Sequence, residues 1–306
     1  MMQRDEFLRL DSAEIARLVQ ENDTRVCVFP SNGTRRWYLL EHATDGQGYE
    51  HYLEVMTRRQ AELYALLFEH GIEIILAPMF GPDLLARGDA YMQMASEGML
   101  GLTKHAALCD LYETYDVRVR FYGDYHQYFV NTPYAYLSNT FDELMQQTAS
   151  HSRHRIFYGV FANDATETVA RLSVEYFKAH GTIPDKSTLV RLYYGEPVPP
   201  VSLFIGFGKF AAFDMPLVAT GDEDLYFTVS PSPYLNQPQV RVILHDHLFA
   251  RREQETDYSE ISSEDWAAMR AFYRANATNT LGVGTQQPRA GYWYPLPQLA
   301  LPEEEL

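Results

Sequence analysis

Short apolar runs alternate with longer amphipathic stretches along this chain of 306 residues, and the alternation predicts an α/β fold. The expected architecture is a single domain in which helices flank a central, mostly parallel six-stranded sheet. Two observations sharpen it. The run at 72–79 is apolar apart from Glu73, the composition of a strand covered on both faces. No internal repeat and no long linker divides the sequence. Residues 1–285 are therefore read as one domain and 286–306, rich in Pro, Gln and Glu, as a loosely packed or frayed tail.

Residues 1–24 read as a helical lead-in, with Asp11-Ser12-Ala13-Glu14 as a capped start. The first strand is 25–29. Beyond a Gly-containing connection at 45–48, a long helix spans 49–70. Tyr52, Val55, Met56, Leu63, Leu66 and Leu67 make its apolar face, and Gly71 follows its end. Helical material fills 83–114, interrupted around Gly98 and Gly101, since glycine weakens a helix interior. Strands at 117–122, 155–161, 201–208 and 224–229 alternate with helices near 140–148, 164–180, 184–194, 237–252 and 263–276. Ligands of parallel sheets bind beyond the carboxyl ends of the strands. That places 30–36, 78–80, 122–124, 161–164 and 207–209 on one rim.

Composition narrows the function. Apolar residues make up 46% and charged ones 22%, as in ordinary globular proteins. The aromatic share of 14%, with 22 Tyr and 17 Phe, suits a pocket for a bulky hydrocarbon or a carbocation, and equally a tyrosine-rich core. A formal charge of −16 argues against nucleic acid and anionic membranes as partners, so an anionic substrate needs a local cationic site. With Cys27 and Cys109 as the two cysteines, neither a disulfide framework nor a thiolate metal site is suggested. No signal-peptide pattern opens the sequence and no apolar run reaches the ~18 residues of a membrane span. A soluble, cytoplasmic protein is expected.

The most informative stretch is Val26-Cys27-Val28-Phe29-Pro30-Ser31-Asn32-Gly33-Thr34-Arg35-Arg36-Trp37. A strand stops at Pro30, turns at Gly33 and delivers two adjacent arginines. Backbone N–H groups in such a turn can face an anion, and guanidinium forks match phosphate oxygens in pairs. The string alone fits a diphosphate site or a solvated tight turn. Elsewhere, His245 and His247 flank Asp246 on different helix faces, which disfavours a metal site. Lys209 in Gly206-Phe207-Gly208-Lys209 lacks Walker spacing. Neither Asp-Asp-x-x-Asp nor Asp-x-Asp-Asp occurs, which sets aside the α-helical terpene synthases.

The order of segments resembles that of the cis-prenyltransferases, the undecaprenyl diphosphate synthase family. The resemblance runs through Ser31-Asn32-Gly33-Thr34-Arg35-Arg36-Trp37, Val117-Arg118-Val119-Arg120-Phe121-Tyr122-Gly123-Asp124 and Asp224-Leu225-Tyr226-Phe227-Thr228. Chain-elongating members carry an arginine-rich segment after the fifth strand. Here that segment is Ile205-Gly206-Phe207-Gly208-Lys209-Phe210-Ala211-Ala212-Phe213, so a second diphosphate loses its charged donors and elongation is not expected. A closer similarity lies in Gly33-Thr34-Arg35-Arg36-Trp37, Leu67-Phe68-Glu69-His70-Gly71-Ile72-Glu73, Phe121-Tyr122-Gly123-Asp124-Tyr125, Asn163-Asp164-Ala165 and Phe204-Ile205-Gly206-Phe207-Gly208. On these the chain is identified as a member of the bacterial diterpene synthases of the tuberculosinol synthase (tuberculosinyl adenosine transferase) and kolavelool synthase type.

The resemblance implies an enzyme that ionises a bicyclic C20 allylic diphosphate and captures water to give a diterpene alcohol, with prenyl transfer to adenosine as the alternative. It implies that Arg35 and Arg36 clamp the leaving diphosphate with Gly33 and Thr34, and that Tyr52 orients water or shields the cation. Without the resemblance Tyr52 is better read as a core tyrosine, and Tyr49 competes with it in alignment. Phe80, Tyr122, Phe161, Asn163 and Phe207 are expected around the substrate. Asn32 stands where the family has an aspartate, acting on the metal–diphosphate or as a base. An amide has that shape but takes no proton. Either another base serves, or an engineered Asn traps substrate. Mg²⁺ on the diphosphate near Asn32, a homodimer, and a separate class II cyclase supplying the substrate are further expectations. A reading of another class is a catalytically silent partner subunit on this fold, supported by Asn32 and opposed by the retained arginines.

Overall fold

A computed structural model describes residues 2–42, 48–81, 87–162, 165–251, 261–289, 291–296 and 299. Six strands form one sheet: β1 Val26–Val28, β2 Ile74–Phe80, β3 Val117–Tyr122, β4 His154–Val160, β5 Leu203–Phe207 and β6 Asp224–Thr228. Their order is β3-β4-β2-β1-β5-β6, and every pairing is parallel. The predicted architecture is thus present. β1 is central and brief. It pairs with β2 from Val26–Ile74 to Val28–Leu76, and Phe29 still donates to the Leu76 carbonyl at 2.9 Å before Pro30 stops the strand.

Alternate residues of the strands point into two cores, which is why the strands read as unbroken apolar runs. Cys27, Ile75, Val119, Ile156, Tyr158, Leu203 and Ile205 face the larger core with the helices Ser12–Glu21, Tyr49–Glu69, Asp89–Lys104, Ala106–Thr114, Tyr136–Gln147 and Gln237–His245. Val26, Val28, Ile74, Leu76, Tyr122, Phe157 and Phe204 face the smaller one, under the helices Ala165–His180 and Lys186–Tyr194. Asp11 and Asp185 cap two of these helices by accepting the N–H groups of Glu14 and Thr188, both at 2.8 Å.

Several elements depart from expectation. The segment after β1 is a helix, Thr34–His42, so the two arginines lie in a first helical turn rather than a loop. The helix Asp89–Lys104 runs unbroken through Gly98 and Gly101; a Cβ on Gly98 would meet Leu53 and Phe80 at 3.5 Å, an ordinary packing contact. The break falls at His105, whose Nδ1 accepts the Ala107 N–H at 3.2 Å and starts the next helix. A short helix, Tyr125–Phe129, follows β3. The helix Gln237–His245 widens by one turn at Asp246–Ala250. Near the C-terminus β7 Gly284–Gln286 pairs antiparallel with β8 Trp293–Pro295. Trp293 meets Phe210 edge-on at 5.8 Å, in the segment after β5.

Candidate active site

The chain leaves β1 toward β2 on one side and leaves β5 toward β6 on the other, so a crevice opens between β1 and β5 at their carboxyl ends. The β1 loop is held there from below. Ser232 Oγ accepts the Asn32 N–H at 3.1 Å, and the Ser232 N–H donates to the Asn32 carbonyl at 3.0 Å. Gly33 has φ +75°, and a Cβ there would lie 2.8 Å from Phe207 Cε1 and 2.9 Å from Pro231 Cβ. Only glycine satisfies both the left-handed turn and the contact. The helix Thr34–His42 begins at once, its first bond running from Trp37 N–H to Gly33 O at 2.9 Å. The N–H groups ahead of that bond carry the positive end of the helix.

This helix start opens onto a cavity of about 700 Å³, lined by Ser31, Asn32, Gly33 and Thr34 on one side. Pro78, Met79, Phe80, Ala162, Phe213 and Met215 form an apolar wall opposite. The size lies within the ~300–1,000 Å³ of ordinary ligand pockets. Ser31 Oγ is buried here without a hydrogen-bond partner among the described residues. A neighbouring cavity of about 610 Å³ shares Thr34, Arg87 and Tyr91 with the first and adds Arg35, Tyr38, Tyr49, Tyr52 and Met94. Thr34 Oγ1 and Tyr52 Oη share a hydrogen bond of 2.9 Å. Burial raises the Tyr52 phenol above its ordinary value, an effect the Thr34 bond partly offsets. Tyr49 is committed elsewhere, donating to the Met94 carbonyl at 2.8 Å. Arg35 and Arg36 are exposed, and neither meets a carboxylate among the described residues. Arg36 lies over the Phe207 ring, 5.7 Å from its centroid.

The residues singled out in the sequence therefore divide. Asn32, Gly33, Thr34 and Phe80 line the first cavity, and Thr34, Arg35 and Tyr52 the second. Phe207 reaches neither wall; with Arg36 it closes the crevice against Gly33. Tyr122 and Phe161 are not wall residues either, because both turn inward. Tyr122 is buried against Tyr193 and Tyr194 in the smaller core, and Phe161 packs on Tyr128 and Phe129 in the larger. Asn163 lies outside the described residues. Gly123 and Asp124, the next residues of the expected rim, line a separate, smaller cavity instead, where Asp124 accepts from Thr168 at 2.6 Å and Arg171 at 2.8 Å.

Sequence reasoning missed Arg87, Tyr91 and Asp214. Arg87 donates to the Tyr91 hydroxyl at 3.0 Å where the two cavities meet. Asp214 stands in the loop after β5 with φ +61°, and its Oδ1 is buried without a hydrogen-bond partner among the described residues. Burial lifts its carboxyl from 3.8 to about 7. Asp214 directly follows Phe213, the last residue of the segment matched to the elongation motif, and no local pattern marks it. His247 belongs to a structural network, bonding Asp224 at 2.6 Å and Thr24 at 2.9 Å. Among the described residues no three His, Cys, Asp or Glu side chains gather as a metal cage. The hydroxyl and amide oxygens of Ser31, Asn32 and Thr34 are hard donors, compatible with Mg²⁺ arriving on a phosphate group.

The fold is that of the cis-prenyltransferases. A lavandulyl diphosphate synthase from Lavandula x intermedia, solved with dimethylallyl diphosphate, superposes with a TM-score of 0.59 over 74% of this chain and 95% of its own, at 13% identity. For a probable undecaprenyl diphosphate synthase from Campylobacter jejuni the TM-score is 0.51, over 76% and 97%, again at 13% identity. No family model matches the sequence. In sequence, the chain is 38% identical over 296 residues to tuberculosinyl adenosine transferase of Mycobacterium tuberculosis (strain CDC 1551 / Oshkosh), covering 96% of this chain and 98% of that protein. It is 24% identical over 273 residues to (+)-kolavelool synthase of Herpetosiphon aurantiacus, covering 88% of each. The chain belongs to the family of these two proteins.

Proposed function

We propose that this protein is an enzyme acting on prenyl diphosphates, and specifically one that ionises a bicyclic C20 allylic diphosphate and captures water to give a diterpene alcohol such as kolavelool or a tuberculosinol isomer. The observation that carries the reading is the union of two features in one place. A helix start with a Ser31 hydroxyl that has no hydrogen-bond partner among the described residues, and with the exposed Arg35, opens onto cavities with apolar and tyrosine walls. The first half suits a diphosphate and the second a hydrocarbon. Phe207 supports single-diphosphate chemistry, since it fills the crevice where a second anion would need cations.

In this mechanism the diphosphate rests on the Gly33–Arg36 helix start, within reach of Ser31 Oγ and the Arg35 guanidinium. As the C–O bond lengthens, charge grows on the leaving oxygen, where fixed donors contribute most. The rings of Tyr38, Tyr49 and Tyr52 present electron-rich faces to the allylic cation. Thr34, bonded to Tyr52, couples the anion end to that wall. Mg²⁺, when bound to the diphosphate, neutralises part of its charge. The substrate comes from a separate class II cyclase, and the working form is a homodimer. Among the described residues no helix is long and apolar enough to cross a membrane.

Transfer to adenosine is the second reading, favoured by the relative at 38% identity that is named for it. One experiment separates the readings. The protein is incubated with Mg²⁺ and kolavenyl, tuberculosinyl or halimadienyl diphosphate, with and without adenosine, and products are identified by mass spectrometry. A diterpene alcohol formed irrespective of adenosine is expected. An adenosine adduct in its place would establish the second reading. No turnover of any of these, as the protein stands or as Asn32→Asp, would leave a silent subunit.

A further inference from the structure

Three buried side-chain polar atoms lack a hydrogen-bond partner among the described residues: Ser31 Oγ, His154 Nε2 and Asp214 Oδ1. Two of them, Ser31 and Asp214, line the same cavity. Buried polar atoms are nearly always satisfied, so an orphan at a cavity wall is an unfilled binding position. Ser31 is explained by the diphosphate. Asp214 is not, because a carboxylate repels that anion.

The placement of Asp214 is constrained on every side. Its backbone adopts φ +61°, a conformation that costs a residue with a Cβ energy and is kept where surrounding structure requires it. Its carboxylate lies over Gly159 of β4: a Cβ on Gly159 would come 3.1 Å from Asp214 Oδ2 and 2.7 Å from Tyr122 Oη. The strand thus carries no side chain where this carboxyl group sits. Asp214 is also the one carboxylate lining either cavity among the described residues. Asn32, across the first cavity, offers an amide, which accepts a hydrogen bond but not a proton.

We infer that Asp214 is the proton acceptor of the reaction, taking onto Oδ1 the proton of the water that captures the allylic cation. This rests on the proposed function and deepens it by assigning the base. The balance is simple. The carbon–oxygen bond to diphosphate breaks and its electron pair leaves with the diphosphate. A lone pair of the water oxygen forms the new carbon–oxygen bond, one O–H bond breaks, and that proton passes to Asp214. It later exchanges into solvent. A carboxyl group that titrates near neutrality matches the task, since a base works best when its affinity lies near the operating pH. The groups facing it leave it the titrating member: Tyr122, Tyr193 and Tyr194 are all raised by burial and stay neutral. Arg87, on the same cavity, stays charged.

The test compares wild type, Asp214→Asn and Asp214→Glu, each given a bicyclic C20 diphosphate and Mg²⁺. Released diphosphate is measured together with the ratio of alcohol to hydrocarbon product. The ratio is read per product formed, so a partly unfolded sample does not alter it. Asp214→Asn is expected to release diphosphate and lose alcohol relative to hydrocarbon by on the order of 10²-fold, with the cation losing a proton elsewhere instead of gaining water. Asp214→Glu is expected to restore much of the alcohol, and it carries the test should Asp214→Asn yield nothing. In wild type the alcohol share should rise with pH through about 7, and in Asp214→Asn it should not. An unchanged ratio in Asp214→Asn, or a shifted Mg²⁺ requirement with the ratio intact, overturns the inference alone. Wild type that consumes no C20 diphosphate overturns the proposed function and this assignment together.

Discussion

Arg35 and Arg36 set two like charges side by side at the positive end of a helix, with no carboxylate beside either among the described residues. In the absence of an anion that arrangement is unfavourable, so an anion should repay it as stability. Inorganic pyrophosphate at 100 times its dissociation constant is expected to stabilise the fold by about 2.7 kcal/mol, read as a rise in Tm. Arg35→Ala and Arg36→Ala should each remove most of that rise without lowering the ligand-free Tm, because each removes a like charge from the positive end of the helix and both side chains are exposed. Lysine at either position should restore charge but little of the effect, lacking the planar fork. At this scale the sequence was informative where function depends on neighbours in the chain. Asn32, Gly33, Thr34 and Arg35 stand together in the string and together at the site. Tyr52, expected there only from the resemblance, meets Thr34 through its hydroxyl. Asp214 and Arg87 were illegible for the converse reason: each meets the cavity beside residues distant from it in the chain, which no local pattern encodes.

The helix Thr34–His42 and the end of β5 act as one element, joined at Gly33. Phe207, at the end of β5, packs where a Cβ on Gly33 would stand and underlies Arg36. The two glycines of this junction make a controlled comparison. Gly33→Ala meets a ring carbon at 2.8 Å in addition to the cost of φ +75°, whereas Gly208→Ala pays for φ +71° alone, with nothing within 4 Å of its Cβ. Urea unfolding should show a loss of about 1–2 kcal/mol for Gly208→Ala and clearly more for Gly33→Ala. Only Gly33→Ala should also weaken pyrophosphate binding. Equal losses would mean that the β5 end yields easily and that Phe207 does not define the crevice. The strands were legible as elements because burial on both faces leaves them uniformly apolar. The helix after β1 was not, because Pro30 and Gly33 announce a break and Trp37-Tyr38-Leu39-Leu40 shows no helical stripe. Only Tyr38 of that helix is buried.

Across the whole molecule, His154 and Asp214 are shifted by burial in opposite directions and act against one another as pH changes. His154 begins β4, stacked on Phe68 at 4.3 Å with its Nδ1 on the Ile72 carbonyl at 3.1 Å and its Nε2 unpartnered. Burial, helped by Arg153, lowers it from 6.5 to about 4. Its folded affinity is below the unfolded one, so its stabilising contribution is present above pH 6.5 and is lost as pH falls toward 4. Asp214 runs the other way: raised from 3.8 to about 7, it favours the folded state below pH 3.8 and withdraws that support as pH rises through 7. Each contribution is on the order of 2–3 kcal/mol over this window, with Asp214 discounted for its partly exposed position. The two therefore oppose one another between pH 4 and 7, and their contributions to wild-type stability should largely cancel there. Removing either group should expose the other. Asp214→Asn should be more stable than wild type at pH 8, with the advantage vanishing near pH 4, and should weaken steadily as the solution is acidified. His154→Gln should be less stable overall, yet should gain stability on acidification over the same range. Chemical unfolding at fixed ionic strength across pH 4–8 measures all three curves. Parallel curves for the three proteins would show that neither burial governs titration, and would remove the support that the raised carboxyl lends to Asp214 as the base.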